Sequence, residues 1–164
     1  MVDNVSRHCK RNFGIEPYLK HVKKLKYRRA LTAFRISAHK LEIETGRYVH
    51  VNKVGISRHA RFCTFCYEEN KTKVMGDEVH AILNCAHFND VRERFMDKIY
   101  SIVPNFKKLN DKDRLFYMLT SENEIAVLIS KFLTVILSAQ RPSFFKLWSQ
   151  INCPGDKVTT KRVP

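Results

Sequence analysis

The sequence Cys63-Thr64-Phe65-Cys66, followed by His80 and Cys85, is the most informative stretch of the chain. Its spacing is C-x2-C-x13-H-x4-C, so four candidate metal ligands fall within 23 residues. Structural zinc sites take four tetrahedral ligands from cysteine thiolates and histidine imidazoles, and they commonly begin with a C-x-x-C pair. The sequence therefore predicts a Zn²⁺ site formed by Cys63, Cys66, His80 and Cys85.

Two further histidines leave the identity of the nitrogen ligand open. His87 follows Cys85 by two residues and could replace His80, and His59 lies four residues before Cys63 and could compete with it. The H-x4-C spacing of His80 and Cys85 is that of the second half of a retroviral-type zinc knuckle, which favours His80. The gap of thirteen residues before His80 is longer than in such a knuckle and requires a larger loop.

The predicted site is structural rather than catalytic. A catalytic zinc ion has three protein ligands, an open position and usually a general base, whereas four ligands are available here. The sequence has no H-x-E arrangement of a zinc deaminase at His80, no H-E-x-x-H, no glycine-rich phosphate loop and no adjacent Asp-Asp pair. We therefore expect no enzymatic activity and no small-molecule substrate.

The charge of the chain points to a polyanionic partner. The chain contains thirty Lys and Arg residues and sixteen Asp and Glu residues, which gives a net charge of +14 and a pI of about 9.8. Most of this excess lies before Cys63, where residues 1–62 carry a net charge of +11. The run 20–29 alone carries six positive charges. It can contact nucleic-acid phosphates or act as a nuclear import signal, and the alternative is a solvated helix face. The candidate phosphate contacts are Lys20, Lys23, Lys24, Lys26, Arg28, Arg29, Arg35, Arg47, Arg58 and Arg61.

The cysteine count and the polar start, Met1-Val2-Asp3-Asn4, favour an intracellular protein of the nucleus or cytoplasm. Five cysteines is an odd number, and without a secretory signal a disulfide framework is not expected. Cys9 and Cys153 are interpreted as free thiols. The longest apolar run, 125–139, is too short to span a bilayer and contains Lys131, so it predicts a buried helix and no membrane partner.

Apolar periodicity predicts a mainly α fold, a small helical domain with a structural zinc-binding loop of the Cys-Cys-His-Cys type. Gly46 is expected to end the first helix in a left-handed cap, and Ser121 to Glu124 reads as a capping box. The predicted helices are 25–43, a short one from Asp77, 89–103, 111–119, 121–140 and a last one within 144–151. The predicted division is a basic, poorly ordered lead-in (1–24), a helix with the zinc module (25–103), a helical C-terminal part (104–151) and a mobile tail (152–164).

Residues 31–48, Arg61–Cys66, Asp77–His80, Cys85 and Arg92 together resemble a known family. They are similar to the C-terminal zinc-binding region of the reverse transcriptase proteins of LINE-type (non-LTR) retrotransposons, over roughly residues 25–100. In that family a phrase like FR…H-L-x-I-E-x-G-R precedes a C-x-x-C…E-x-H…C cluster. The residues that match the phrase here are Arg35, His39, Glu44, Gly46 and Arg47, and those that match the metal ligands are Cys63, Cys66, His80 and Cys85.

The resemblance implies a zinc-binding region that contacts nucleic acid and follows a polymerase. Polymerase and endonuclease domains are not in this sequence, and Ala81 stands where the family has an aromatic residue. We therefore expect a nucleic-acid-binding module for RNA or DNA, with a separate reverse transcriptase as a candidate partner. The alternative is a helical protein-interaction or scaffolding domain stabilised by zinc.

Overall fold

The computed structural model describes residues 15–51, 54–152 and 158–160. The described chain is mainly helical, as predicted. Its α-helices are α1 (Tyr18–His21), α2 (Leu25–Arg35), α3 (Glu42–Thr45), α4 (Thr64–Asn70), α5 (Asn89–Ile102), α6 (Asp111–Thr120), α7 (Asn123–Ser138) and α8 (Phe144–Asn152). Three short strands are β1 (Val49–Val51), β2 (Val54–Gly55) and β3 (Val158–Thr160).

The chain divides into two compact units, and each combines two separate segments. The helical unit contains the residues up to Ala38 together with Phe88–Ser138. The cysteine unit contains His39–His87 together with the residues from Ala139 onward. Each unit is therefore formed by two segments that lie far apart in the sequence.

The helical unit is built around α7, against which α1, α2, α5 and α6 pack. Four side chains of the predicted α7 stripe, Ile129, Phe132, Leu133 and Ile136, are fully buried. Leu31 and Phe34 supply the buried face of α2. Removing this apolar area from water is the main stabilising term for such a bundle. Within the part of the chain that is described, none of the helices has the length and apolar character needed to cross a bilayer.

The predicted helix 25–43 is wrong in its second half. Helix α2 ends at Arg35, because Ser37 takes a left-handed conformation with a φ of 54°. The N–H groups of Ser37 and Ala38 donate to the carbonyls of Phe34 and Ala33, which is the Schellman pattern. Gly46 does not end the helix in a left-handed cap, since its φ is −64° and it begins the 3₁₀ turn Gly46–Tyr48.

The cysteine unit has a small core and an antiparallel sheet in the order β2-β1-β3. In the register, His50 lies opposite Gly55 on one side and Thr159 on the other. The core forms where aromatic and aliphatic side chains of the segment before α4 meet the residues of α8. The buried members are Val49, Ile56, Phe62 and Phe144, and the partly buried members include Tyr67, Leu147 and Trp148.

Other local features also differ from the predictions or add to them. The segment after Cys63 forms α4, which continues as far as Asn70. Ser121 does not cap the next helix, because its hydroxyl donates to the carbonyl of Tyr117 in the preceding one. Part of the expected lead-in forms α1, and part of the expected tail forms β3, while residues 1–14 lie outside the described chain.

Candidate functional site

The structure brings Cys63, Cys66, His80 and Cys85 into one buried group, which we call the CCHC cluster. All four ligand atoms lie within 4.8 Å of one another. The Sγ of Cys85 lies 3.9 Å from that of Cys63 and 3.8 Å from that of Cys66, and the Nε2 of His80 lies 3.4 Å from the Sγ of Cys66. A disulfide has an S–S length of about 2.05 Å, so these sulfurs are separate thiols.

These separations fit a tetrahedral metal site. Zinc–sulfur bonds of about 2.3 Å and zinc–nitrogen bonds of about 2.0–2.1 Å give tetrahedral edges of about 3.8 Å between sulfurs and about 3.6 Å between sulfur and nitrogen. The three distances given above, between Cys63 and Cys85, Cys66 and Cys85, and Cys66 and His80, lie within a few tenths of an ångström of these values. The CCHC cluster could therefore hold a metal ion.

A π-helical turn explains how His80 and Cys85 come together. The N–H of Cys85 donates to the carbonyl of His80 at 2.6 Å, which is the i to i+5 pairing of a π turn over His80–Asn84. A π turn therefore brings together two residues that have the H-x4-C spacing. Asp77 fixes the other end, because its carboxylate accepts the N–H of His80 at 2.8 Å.

Backbone pairing between two segments holds the C-x-x-C half. Phe62 and Met75 form an antiparallel bridge, and the N–H of Cys63 donates to the carbonyl of Val74 at 2.7 Å. Gly76 continues this pairing at a point where the two backbone segments lie close together. A Cβ on Gly76 would lie 2.7 Å from an oxygen of Glu42 and 3.1 Å from the Cα of Cys63, so no larger residue fits without displacement.

The three thiols differ in acidity because they hydrogen-bond to one another. A hydrogen bond from the Cys85 thiol and, to a smaller extent, the contact with His80 lower the pKa of Cys63 to about 3, against the opposing effect of burial. The same hydrogen bond raises the pKa of Cys85, and burial raises the pKa of Cys66. Without a cation the cluster therefore favours one thiolate and two thiols, since three buried thiolates would repel one another.

The other two candidate histidines lie outside the cluster. His87 stacks on Phe65 with the ring centroids 3.8 Å apart, and its Nδ1 contacts the carboxylate of Glu69. His59 is exposed within the 3₁₀ turn Arg58–Ala60. Among the described residues the nitrogen of the cluster therefore comes from His80.

Sequence reasoning missed the residues that support the cluster, above all Glu42 and Arg141. Glu42 is only 2% exposed, and its carboxylate accepts the hydroxyl of Thr64 at 2.6 Å and the N–H of Thr64 at 3.2 Å. Arg141 donates to the same carboxylate at 3.2 Å and places its guanidinium over the ring of Phe65. Because these partners lie up to 99 residues apart, no local pattern could have indicated them.

The phrase that resembles the LINE-type family also packs beside the cluster. The Nε2 of His39 lies 3.2 Å from the carboxylate of Glu78, and both side chains are buried. Burial alone would raise the pKa of Glu78, but the hydrogen bond to His39 and backbone hydrogen bonding outweigh it, so the pKa is lowered. Glu44 pairs with Arg47 at 3.0 Å. Residues of this phrase thus form structural contacts within the cysteine unit.

The candidate phosphate-contacting residues separate into exposed and engaged side chains. Arg28 donates to the carbonyls of Val22 and Leu19 at the end of α1. Arg35 pairs with Glu16 at 3.2 Å and lies over the ring of Tyr18. Arg58 and Arg61 are partly buried. The exposed members are Lys20, Lys23, Lys24, Lys26, Arg29 and Arg47.

No protein-family model, no curated protein and no solved structure matches this chain. The similarity to LINE-type reverse transcriptase proteins therefore stays a prediction that rests on the residues quoted for it. The same holds for nucleic-acid binding, for the expected lack of enzymatic activity and for the intracellular location.

Proposed function

We propose that the CCHC cluster binds one structural Zn²⁺ ion. Three sulfurs and one imidazole nitrogen are a donor set that suits zinc. Mg²⁺ and Ca²⁺ prefer oxygen ligands and bind weakly to such a set. All four ligand residues are buried, with Cys85 at 0% and His80 at 7% exposure. Four protein ligands complete a tetrahedral shell, so the ion would stabilise the fold rather than bind a substrate.

We further propose that the chain is a zinc-stabilised nucleic-acid-binding module. One observation carries this proposal. The strip that we call the basic strip is exposed along α1, α2 and the residues between them, and it contains Lys20, Lys23, Lys24, Lys26 and Arg29. The sequence has no Asp or Glu between Glu16 and Glu42, so no acidic neighbour from this segment offsets the charge. Clustered exposed cations of this kind attract phosphate backbones and release condensed counterions on binding.

The resemblance to LINE-type reverse transcriptase proteins is consistent with this function. It implies a region that combines zinc ligation with nucleic-acid contact, and a separate reverse transcriptase is the corresponding candidate partner. The chemistry of the CCHC cluster offers no general base beside an open metal position. We therefore propose a binding role without enzymatic activity.

The basic strip can be tested by a matched pair of charge variants. A variant with Lys23→Gln, Lys24→Gln and Lys26→Gln removes three charges from the strip. The control with Lys98→Gln, Lys108→Gln and Lys112→Gln removes three exposed charges elsewhere in the helical unit. Binding of single-stranded RNA, single-stranded DNA and duplex DNA is measured across a range of salt concentrations, with and without a zinc chelator.

The strip variant should lower the slope of log K against log salt by about 2–3, since each lost contact contributes about 0.7–0.9. The control should keep most of the slope of the wild-type protein. Equal effects of the two variants would show that only net charge matters. Absence of binding to every probe at low salt would contradict the proposed function and favour the protein-interaction alternative.

A further inference from the structure

Three arginines of the cysteine unit, Arg47, Arg58 and Arg61, are coupled electrostatically, and they lie outside the basic strip. The guanidinium of Arg61 lies within electrostatic range of both Arg47 and Arg58. Burial, followed by the positive charges of Arg47 and Arg58, lowers the pKa of Arg61, and Glu44 offsets part of this effect. Like charges held together at this density form a region of positive potential that favours an anion.

Local backbone structure brings these arginines together. The side chain of Arg61 packs against the backbone of Gly46, where a Cβ would lie 2.7 Å from its Cγ, and Arg47 is the next residue along the chain. Arg58 begins a 3₁₀ turn, and the N–H of Arg61 donates to the carbonyl of Arg58 at 3.2 Å. Arg61 directly follows this turn, so the hydrogen bond holds its backbone beside that of Arg58.

The three side chains have different freedom to bind an external anion. The guanidinium of Arg61 donates to the carbonyls of Ile43 and Ile56, which fixes its position. Arg47 pairs with Glu44 but remains 51% exposed. Arg58 donates no hydrogen bond within the described part of the chain. The arrangement therefore has one fixed cation and two cations that can turn toward a ligand.

The carboxylates that face these arginines leave an excess of positive charge. Glu44 pairs with Arg47 on the cysteine unit. Glu78 feels the charge of Arg58, but its own hydrogen bond is to His39. Guanidinium groups bind phosphate oxygens through two parallel N–H donors, and this geometry suits a phosphodiester better than a lone ammonium does.

We propose that Arg47 and Arg58, arranged around Arg61, form a phosphodiester-binding site on the cysteine unit. We call this the arginine site. It rests on the proposed nucleic-acid-binding function and gives that function a second point of contact, independent of the basic strip. Its ligand is the nucleic-acid backbone, so it contributes affinity and orientation without reading the base sequence.

The test compares two variants that each lose two charges from the cysteine unit. Arg47→Gln with Arg58→Gln removes the mobile cations of the arginine site, and Lys71→Gln with Lys73→Gln is the control from an exposed loop. Each protein is titrated with a 20-nucleotide single-stranded RNA and with a duplex DNA at several salt concentrations. Inorganic phosphate at matched ionic strength is added in a separate arm, to determine whether a free anion competes.

The arginine variant should lower the slope of log K against log salt by about 1.4–1.8, and the lysine control should leave it nearly unchanged. If the wild-type protein binds and the two variants show the same slope of log K against log salt, the arginine site is overturned while the proposed function stands. Wild-type protein that binds neither probe would overturn the proposed function itself. Competition by phosphate that is equal for the wild type and the arginine variant would likewise contradict the site.

A second measurement on the wild-type protein avoids any effect of substitution on folding. RNA that contains 4-thiouridine is cross-linked to the protein by light, and the attached peptides are identified by mass spectrometry. Cross-links within residues 47–61, in addition to those at the basic strip, are expected. Cross-links confined to the basic strip would contradict the arginine site.

Discussion

The carboxylate of Glu42 accepts hydrogen bonds from both the backbone N–H and the hydroxyl of Thr64. Thr64 lies between the two ligands of the C-x-x-C pair and is the first residue of α4. A buried carboxylate at this position fixes the loop and satisfies an N–H that the first turn of the helix would otherwise leave unpaired. Glu42 thereby connects the CCHC cluster to Arg141 in the C-terminal segment.

Glu42→Gln should destabilise the cysteine unit by about 3–5 kcal/mol, because it removes the charged partner of a buried ion pair with Arg141. It should also weaken zinc binding by roughly 10–100-fold, the usual effect of changing a residue that supports metal ligands. Urea unfolding followed by the fluorescence of Trp148 measures the first effect, since this single tryptophan lies in the cysteine unit. Glu68→Gln is an exposed control, and equal stability of the two variants would contradict the role of Glu42.

Gly76→Ala should lower the free energy of unfolding of the cysteine unit by about 1–3 kcal/mol, as an added methyl in a packed site does. The new Cβ would meet Glu42 and the Cα of Cys63 at 2.7–3.1 Å. At Gly55 the nearest atom would be 3.7 Å away, in ordinary contact. Gly55→Ala should therefore change the stability by no more than about 0.5 kcal/mol. The same tryptophan assay compares the two, and similar losses would show that the close approach at Gly76 is unimportant.

His80→Ala should weaken zinc binding by more than 100-fold in order of magnitude, since it removes a ligand and not merely a supporting residue. His87→Ala should leave the zinc affinity unchanged, because His87 stacks on Phe65 outside the cluster. Competition with a chromophoric chelator measures both affinities on the same protein preparations. The reverse order of effects would mean that His87 supplies the nitrogen ligand.

Removal of zinc should unfold the cysteine unit and leave the helical unit folded. The cysteine unit has a small apolar core, whereas α7 buries a continuous stripe of its own. Structural zinc contributes about 10–16 kcal/mol of apparent binding free energy in zinc-finger peptides at neutral pH. Hydrogen exchange after chelation should therefore show lost protection in Thr64–Asn70 and retained protection in Asn123–Ser138. Simultaneous loss of protection in α4 and α7 would contradict the expectation that the helical unit stays folded without zinc.

Lowering the pH should release the metal, and the direction follows from the ligand chemistry. Zinc binds thiolates and neutral imidazole, so the metal-bound state holds fewer protons than the unfolded chain. Stability conferred by zinc should therefore be present at neutral pH and be lost progressively as the pH falls. Zinc release measured with a fluorescent indicator between about pH 8 and 5 checks this, and release that increases with rising pH would contradict it.

The four residues of the CCHC cluster could be predicted from the sequence because their spacing signal is local. The C-x-x-C and H-x4-C spacings each match one short turn, and the structure joins the two turns into one cluster. Helices α5 to α8 could also be located closely, since their apolar stripes lie within each segment.

What the sequence could not indicate depends on long-range contacts and on unusual backbone conformations. Helix α2 is followed, two residues after its end at Arg35, by a serine in a left-handed conformation, a position usually occupied by glycine or asparagine. Two contacts between distant residues form only in the folded chain. They are the ion pair of Glu42 with Arg141 and the packing of Arg61 against Gly46. The same is true of the two discontinuous units, because each is completed by a segment that lies far along the sequence.

X-ray absorption at the zinc edge of the purified protein tests whether the CCHC cluster binds a structural zinc ion. One zinc per chain is expected, with three sulfur neighbours at about 2.3 Å and one nitrogen at about 2.0–2.1 Å. Cys85→Ser should lose one sulfur from this shell. A zinc environment dominated by oxygen and nitrogen, or protein without bound zinc after expression in zinc-supplemented medium, would contradict the proposed zinc site.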